Sequence, residues 1–310
     1  MLSLSDDVVP TPIRTVLRGV GQVYFQANAL TGAVLVTGIA LSSPLMAMGA
    51  VVGSAIGTAT ARLCKFQEAE VAEGLYGFNS MLVGIATFFY FRLSPVSLAL
   101  LTVGGVMATL VTRLLNRSLP FPVFNSPYVI TTWSLYVLGP ILGAVWVGPG
   151  DRPIAYGFVE AVAHGVGQAL FQANLWTGIL CLVGIALNDW RHAAWALVGA
   201  MIGIMVANYH VTPGMRALDP ERLIERAFSD NLALGLYSYN ATLPAVALFR
   251  WRRSLIPPLL GILISVPLTE LVPKLGLPAL TAPFVLATWF VLGLGLLEGR
   301  YLRNSAPTVP

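Results

Sequence analysis

The sequence has few charged residues. Asp, Glu, Lys and Arg make up only 10% of its 310 residues, whereas hydrophobic residue types make up 56%. Soluble proteins carry roughly 25% charged residues, so this chain has too little charge to cover a surface that faces water. The mean hydropathy of +0.76 points the same way. The composition therefore predicts a multi-pass integral membrane protein whose main surroundings are membrane lipid.

Histidine and cysteine are also scarce, with three and two residues respectively. Cys64 and Cys181 do not occupy equivalent positions in the repeat described below, which argues against a disulfide framework. The sequence contains no HExxH motif, no paired carboxylates and no nucleophile with a nearby base. We therefore expect no catalytic residue, no metal site and no cofactor, and we do not expect an enzyme.

The small net charge of +4 comes almost wholly from arginines that lie between the apolar runs. Such positions are typical of charges that set membrane topology and meet lipid phosphate groups. They form no basic face, so a nucleic acid is not expected as a partner.

Two stretches of the chain repeat each other without a gap. Residues 19–41 and 165–187 are identical at 14 of 23 aligned positions, and the spacing of Gly53 and Gly57 recurs as Gly199 and Gly203. A register kept over that length indicates an internal duplication. The sequence predicts a first half at residues 1–150 and a second half at 151–310, joined by a Gly- and Pro-rich linker at 148–153.

The apolar segments number about five in each half and ten in all, judged by the ~20 residues that a spanning helix needs. An odd number per half inserts the second copy upside down relative to the first, and inverted repeats share a site near the middle of the membrane. We expect an all-α membrane protein with two inverted repeats, with broken or re-entrant segments around a central pore. A longer polar loop is expected at 212–231.

Three pairs of motifs interrupt the apolar runs. Gln22 and Gln168 each precede a phenylalanine by three residues, which predicts an amide and a ring on one helical face. The segments 74–79 and 235–240 place Gly and Asn within apolar sequence, as expected for backbone that lines a cavity. In the segment 277–284 two prolines flank Thr281, and we expect them to break a helix; Asn125 takes the place of Thr281 in the first half.

The three motifs, each present twice and in this order, resemble those of the urea transporter family, over about residues 13–300. The resemblance implies a homotrimer in the cell membrane whose protomers each pass urea down its gradient without a coupling ion. It also implies aromatic slots formed by Phe25 with Phe78 and by Phe171 with Tyr239. The full set of pore residues that it implies is Gln22, Val23, Phe25, Phe78, Leu82, Asn125, Gln168, Ala169, Phe171, Tyr239, Leu243 and Thr281.

Alternatives remain open at this point. Asn125 and Tyr239 depart from the family pattern, so the solute could be another small neutral molecule, such as a short amide, ammonia or water. A transporter coupled to protons or sodium would need acidic or histidine residues at mid-membrane depth. Glu73, Glu160 and Glu270 instead lie near segment ends and have no acidic counterpart in the other half.

Overall fold

The computed structural model describes residues 11–147, 157–211 and 235–305, with side chains described up to 207 in the second range and up to 299 in the third. The expected linker at 148–153, the expected boundary near residue 150 and the expected loop at 212–231 lie outside the described residues.

The described residues form helices and contain no strand, which confirms the predicted all-α class. The helices of the first half are α1 Thr11–Gly21, α2 Ala29–Ser42, α3 Pro44–Leu63, α4 Glu68–Ala72, α5 Gly77–Tyr90, α6 Pro95–Ser118 and α7 Ser126–Ile141. Those of the second half are α8 Phe158–Gly167, α9 Leu175–Asn188, α10 Trp190–Val211, α11 Ser238–Trp251, α12 Ile256–Leu271 and α13 Ala282–Ser305.

Each half begins with a bent pair of helices. A 3-10 turn at Gln22–Tyr24 extends α1, and the chain then bends by 75° into α2; a 3-10 turn at Gln168–Leu170 extends α8 and is followed by a bend of 71° into α9. Sharp bends of this kind need an identifiable break in the helical hydrogen bonding. They confirm that the fold contains broken or re-entrant segments.

The ten predicted segments are all helical, but they differ in length. Within the described residues, five helices are long and apolar enough to cross a membrane, and each bent pair adds one crossing if it is counted as a single span. The remaining three segments are α5, α7 and α11, with 14, 16 and 14 residues. At 1.5 Å per residue they are ~21–24 Å long, shorter than a hydrocarbon core of about 30 Å.

The two halves are antiparallel where α2 meets α9. The hydroxyl of Thr31, near the start of α2, donates to the carbonyl of Gly184, near the end of α9, at 2.7 Å. The hydroxyl of Thr177 donates to the carbonyl of Gly38 at the same distance. These are equivalent residues of the repeat, so the second copy is inverted relative to the first.

Glycines allow the helices within each half to approach closely. A Cβ on Gly53 would lie 2.3 Å from the carbonyl oxygen of Ser80, and one on Gly199 would lie 2.8 Å from that of Ala241. The repeated glycines of α3 and α10 therefore lie directly against the backbones of α5 and α11. This is the small-residue packing that membrane helices use in place of a hydrophobic driving force.

Candidate functional site

The break between α1 and α2 ends at a phenylalanine in a left-handed conformation, and so does the break between α8 and α9. Phe25 has φ 62° and Phe171 has φ 60°, a region that non-glycine residues rarely adopt. The chain therefore turns away at each ring, so that Phe25 and Phe171 each close a 3-10 turn and do not continue the preceding α-helix; the shared face of Gln22 and Phe25 stays a prediction. Asn28 and Asn174 then cap the following helices through their side-chain oxygens.

Gln22 and Gln168 occupy equivalent, half-buried positions in the two 3-10 turns. The Gln22 amide donates to the carbonyl of Glu73 at 2.9 Å, in the short stretch that precedes α5. Val23 and Ala169, the next residues in each turn, are buried. Carbonyl groups at both helix ends accept hydrogen bonds from the turn that follows, as those of Tyr24 and Leu170 do from the side-chain amides of Gln26 and Gln172.

The rings of Phe25 and Phe171 contact helices of the opposite half. The distance between ring centroids is 6.0 Å for Phe25 and Phe284 of α13, and 6.4 Å for Phe171 and Tyr128 of α7. Phe284 and Tyr128 are equivalent in the repeat. Further ring contacts join Phe25 to Phe124 and Phe171 to Phe89 and Tyr90.

The predicted partners of these rings lie on α5 and α11. Phe78 and Leu82 are buried on α5, and Tyr239 and Leu243 are buried on α11, which confirms their helical spacing. Among the described residues, no direct ring contact joins Phe25 to Phe78 or Phe171 to Tyr239. The structure thus places the predicted slot residues on the expected helices without bringing their rings together.

The interruption before each of these helices is a turn and not a break within the helix. Gly74 and Gly235 have φ values of 81° and 73°, and Cβ atoms at these positions would lie 2.3 and 2.4 Å from the backbone nitrogens of Gly19 and Gly165. Glycine is required in both turns because the conformation is left-handed and because another backbone is close. Phe78 and Tyr239 therefore lie in the first turn of a regular helix.

Beside the turn at Gly74, hydrogen bonds between polar side chains keep the short helix α4 in place. The hydroxyl of Tyr76 donates to the Glu70 carboxylate at 2.6 Å, and Arg113 donates to the Tyr76 hydroxyl at 3.3 Å. Burial and the neighbouring carboxylate raise the pKa of Tyr76. Tyr76 is thus a neutral donor at physiological pH and serves as a structural contact.

The starts of α7 and α13 form the third pair of features. Phe124 and Leu280 are left-handed, with φ of 49° and 46°, and the following Pro127 and Pro283 are each the second residue of a helix. Proline is favoured at the beginning of a helix because no hydrogen bond of its nitrogen is lost there. The predicted helix break by two prolines is therefore a helix start.

Two asparagines that the sequence analysis assigned no role hold these starts in place. Asn79 on α5 donates to the carbonyl of Phe124 at 3.3 Å and accepts from the backbone N–H of Tyr128 at 3.2 Å. Asn240 on α11 makes the same two contacts, at 3.1 and 3.2 Å, with Leu280 and Phe284. Their occurrence at the end of both interrupted motifs is the sequence signal for this role.

Buried polar groups without a partner gather on α7 and α13. Both amide atoms of Asn125 and the hydroxyl of Thr281 have no hydrogen-bond partner. The same holds for Thr132 and Thr288, each seven residues further along, which places them on the same helical face. The sequence analysis did not identify this second pair, although a threonine at the same distance after both Asn125 and Thr281 was a visible signal.

Hydroxyls on α5, α6 and α7 show that the unpartnered state is not a general property of the fold, although Thr131 of α7 shares it. Thr87, Thr112 and Ser134 each donate to the carbonyl four residues earlier, at 2.7–3.0 Å. Buried polar groups are almost always hydrogen-bonded to protein or water. The unpartnered groups at Asn125, Thr132, Thr281 and Thr288 are therefore suited to bind a polar solute or water.

Formal charge is absent from the buried interior of the described ranges. No Asp, Glu, Lys or Arg described in the structure is buried. Two of the described histidines, His164 and His192, are buried. His192 contacts the Gln26 amide at 3.1 Å. In the same part of the chain, no three His, Cys, Asp or Glu residues lie close enough to hold a metal ion.

Comparison with known proteins places this arrangement in a family. The sequence model of the urea transporter family matches residues 13–219 and 221–295. Urea transporter 1 of Ovis aries is 25% identical, with 89% of this chain and 75% of the relative covered. Urea transporter 1 of Capra hircus and of Rattus norvegicus are each 26% identical over the same shares. This chain therefore belongs to the urea transporter family, whose members are transporters and not enzymes.

Proposed function

We propose that this protein transports urea passively through a narrow, uncharged passage between its two inverted halves. Membership of the family assigns urea transport across a membrane. What supports the passive mechanism and the position of the passage is the arrangement of the residues described above.

The observation that carries the proposal is the set of unpartnered polar groups on α7 and α13. Asn125 and Thr281 are equivalent residues in the two halves, and both are at most 3% exposed with no hydrogen-bond partner. Leaving such a group unsatisfied costs ~1–3 kcal/mol. A urea molecule, which has four N–H donors and a strong carbonyl acceptor, satisfies a hydroxyl and an amide at once.

The aromatic residues on either side favour a flat solute. Phe25 and Phe78 belong to the first half, at the end of a 3-10 turn and on α5. Phe171 and Tyr239 occupy the corresponding places in the second half. The two rings of each pair are not in direct contact, and we propose that a planar molecule lies between them and that a tetrahedral one of similar volume is excluded.

A coupling ion has no buried carboxylate to bind it in this proposal. Transfer of an unpaired ion into a dry site is far more costly than transfer of a neutral amide, and every Asp and Glu in the described ranges is at least partly exposed. Neutral hydrogen bonds of about 0.5–1.5 kcal/mol net each hold urea weakly enough for rapid release. We also propose, from the family resemblance, a homotrimer that is located in the cell membrane.

One observation favours a second candidate solute. Asn125 offers an amide donor and an amide acceptor, both unpartnered, where the other half offers the single hydroxyl of Thr281. A short amide such as acetamide matches a donor and acceptor pair as well as urea does. The second candidate function is therefore passage of short planar amides along with urea.

The experiment is stopped-flow light scattering of proteoliposomes under inward gradients of urea, thiourea or acetamide, for the wild type and Asn125→Thr. We expect urea permeability that is unchanged when proton and sodium gradients are abolished by ionophores. We expect Asn125→Thr to keep urea permeation and to lower acetamide permeation relative to urea. A urea flux that disappears with an ion gradient would contradict the passive mechanism.

A further inference from the structure

The two helix starts that carry Asn125 and Thr281 are bound by tryptophans of the opposite half. The indole N–H of Trp133 on α7 donates to the carbonyl of Pro278 at 2.8 Å, and that of Trp289 on α13 donates to the carbonyl of Pro122 at 2.9 Å. Each carbonyl lies three residues before the unpartnered polar residue of its half. We call these two hydrogen bonds the indole latch.

We propose that Trp133 and Trp289 are positioning residues that set the width of the passage at Asn125 and Thr281. Each helix start is held by two contacts of different origin. Asn79 or Asn240 binds it from its own half, at 3.1–3.3 Å, and an indole binds it from the other half. The inference rests on the proposed function, since the indole latch matters for selectivity only if the passage runs between these starts.

The geometry explains why a latch is needed at these two places. Phe124 and Leu280 hold left-handed backbone, which a residue that carries a side chain rarely adopts. The preceding residues, 119–123 and 276–279, form no α-helix. A start of this kind keeps one conformation only if its surroundings fix it, and the indole latch adds a hydrogen bond from the other half to the ring contacts of Phe25 and Phe171.

The indole latch is also reciprocal. Trp133 follows Asn125 by eight residues and binds the segment that carries Thr281; Trp289 follows Thr281 by eight residues and binds the segment that carries Asn125. Two equivalent bonds of this kind fix the separation of the two helix starts, because moving either start apart breaks both bonds. The Trp133 bond is the more enclosed of the two.

The test replaces each indole by a ring without the N–H group. Trp133→Phe, Trp289→Phe and the double variant are reconstituted, with Trp176→Phe as a matched control because Trp176 lies on the outer surface at 64% exposure. The measured quantity is the ratio of urea to thiourea permeability, since thiourea is planar but larger. Substitution of Trp133 by 3-benzothienylalanine keeps the ring volume and removes only the donor.

We expect the ratio to fall by roughly two- to ten-fold in Trp133→Phe, in keeping with the loss of one neutral hydrogen bond. The fall should be smaller in Trp289→Phe and absent in Trp176→Phe, and the benzothienyl variant should match Trp133→Phe. Folding is checked by fluorescence-detected size-exclusion chromatography, in which each variant should elute as the wild type does. An unchanged ratio of urea to thiourea permeability in folded Trp133→Phe and Trp289→Phe would overturn the proposed role of the indole latch. A wild type without urea permeability would instead overturn the proposed function.

Discussion

The hydroxyl of Tyr239 donates a hydrogen bond to the backbone carbonyl of Leu280, at the start of α13. The tyrosine stands where the family resemblance implies a phenylalanine, and a free hydroxyl there would make the slot polar on one side. The bond to Leu280 removes that donor from the proposed passage. In that proposal Tyr239 is an aromatic wall, as a phenylalanine would be, and its hydroxyl adds one contact between α11 and the start of α13.

From this contact we expect Tyr239→Phe to keep the solute selectivity of the wild type. The Leu280 carbonyl stays satisfied because Asn240 also donates to it, at 3.1 Å, so the loss of stability should be no more than ~1 kcal/mol. Stopped-flow permeability and thermal unfolding in detergent measure the two quantities. A change in the ratio of urea to thiourea permeability would show that the hydroxyl contacts the solute.

The cross-half bonds of Thr31 and Thr177 predict matched effects on stability. Thr31→Val and Thr177→Val each remove one buried hydrogen bond of 2.7 Å while keeping the side-chain shape. Each should destabilise the protein by ~0.5–1.5 kcal/mol, and the double variant by about the sum because the two sites lie on separate turns. Thr37→Val is the control, since its hydroxyl bonds within its own exposed turn. Unequal effects of the two buried variants would contradict the equivalence of the halves at this contact.

Two glycines of α2 predict opposite outcomes for the same substitution. A Cβ on Gly32 would lie 1.8 Å from the carbonyl oxygen of Leu17, whereas one on Gly38 would meet nothing nearer than 3.4 Å. We expect Gly32→Ala to yield little folded protein and Gly38→Ala to fold normally. Gly178 and Gly184 should behave as Gly32 and Gly38 do, because their Cβ atoms would meet neighbours at 2.0 and 3.4 Å. Size-exclusion chromatography after detergent extraction measures the yield of folded protein. A folded Gly32→Ala protein would contradict the close approach of α2 to Leu17.

The aromatic slot predicts that loss of one ring admits thicker solutes. We expect Phe25→Ala and Phe171→Ala each to raise glycerol permeability at least several-fold relative to urea, because a planar restriction is removed. Phe290→Ala is the control, since that ring is 56% exposed and lies outside the proposed passage. Stopped-flow measurements on the three variants test this, and a glycerol flux as low as that of the wild type in both slot variants would exclude these rings from the filter.

Much of the fold and of the site was predictable from the repeat in the sequence. The constant register from Gly19 to Leu41 predicted the duplication, and the odd number of segments predicted the inversion that Thr31 and Thr177 now show. The pairing of Phe25 with Phe171 followed from the same register, and that of Asn125 with Thr281 from the similar proline-containing motifs around them. These features were predictable because comparing the two halves of one sequence requires no knowledge of how the helices pack.

The local conformation at these residues was not predictable in the same way. A helical period cannot reveal the left-handed backbone at Phe25 and Phe171, since it depends on the tertiary contacts that hold each ring. The prolines at 127 and 283 fit a kink or a helix start equally well in sequence. The unpartnered state of Thr132 and Thr288 is likewise a property of their surroundings, and threonines on a helix more often bond to their own backbone, as Thr87 and Thr112 do.

The account rests on a passage shaped for a flat, neutral molecule, and the ratio of urea to glycerol permeability tests that most directly. The measurement uses wild-type proteoliposomes with no ion gradient, with protein-free vesicles as the baseline. We expect a urea permeability far above the baseline and a glycerol permeability close to it. Equal protein-dependent permeabilities for the two solutes would contradict the planar slot between the two halves.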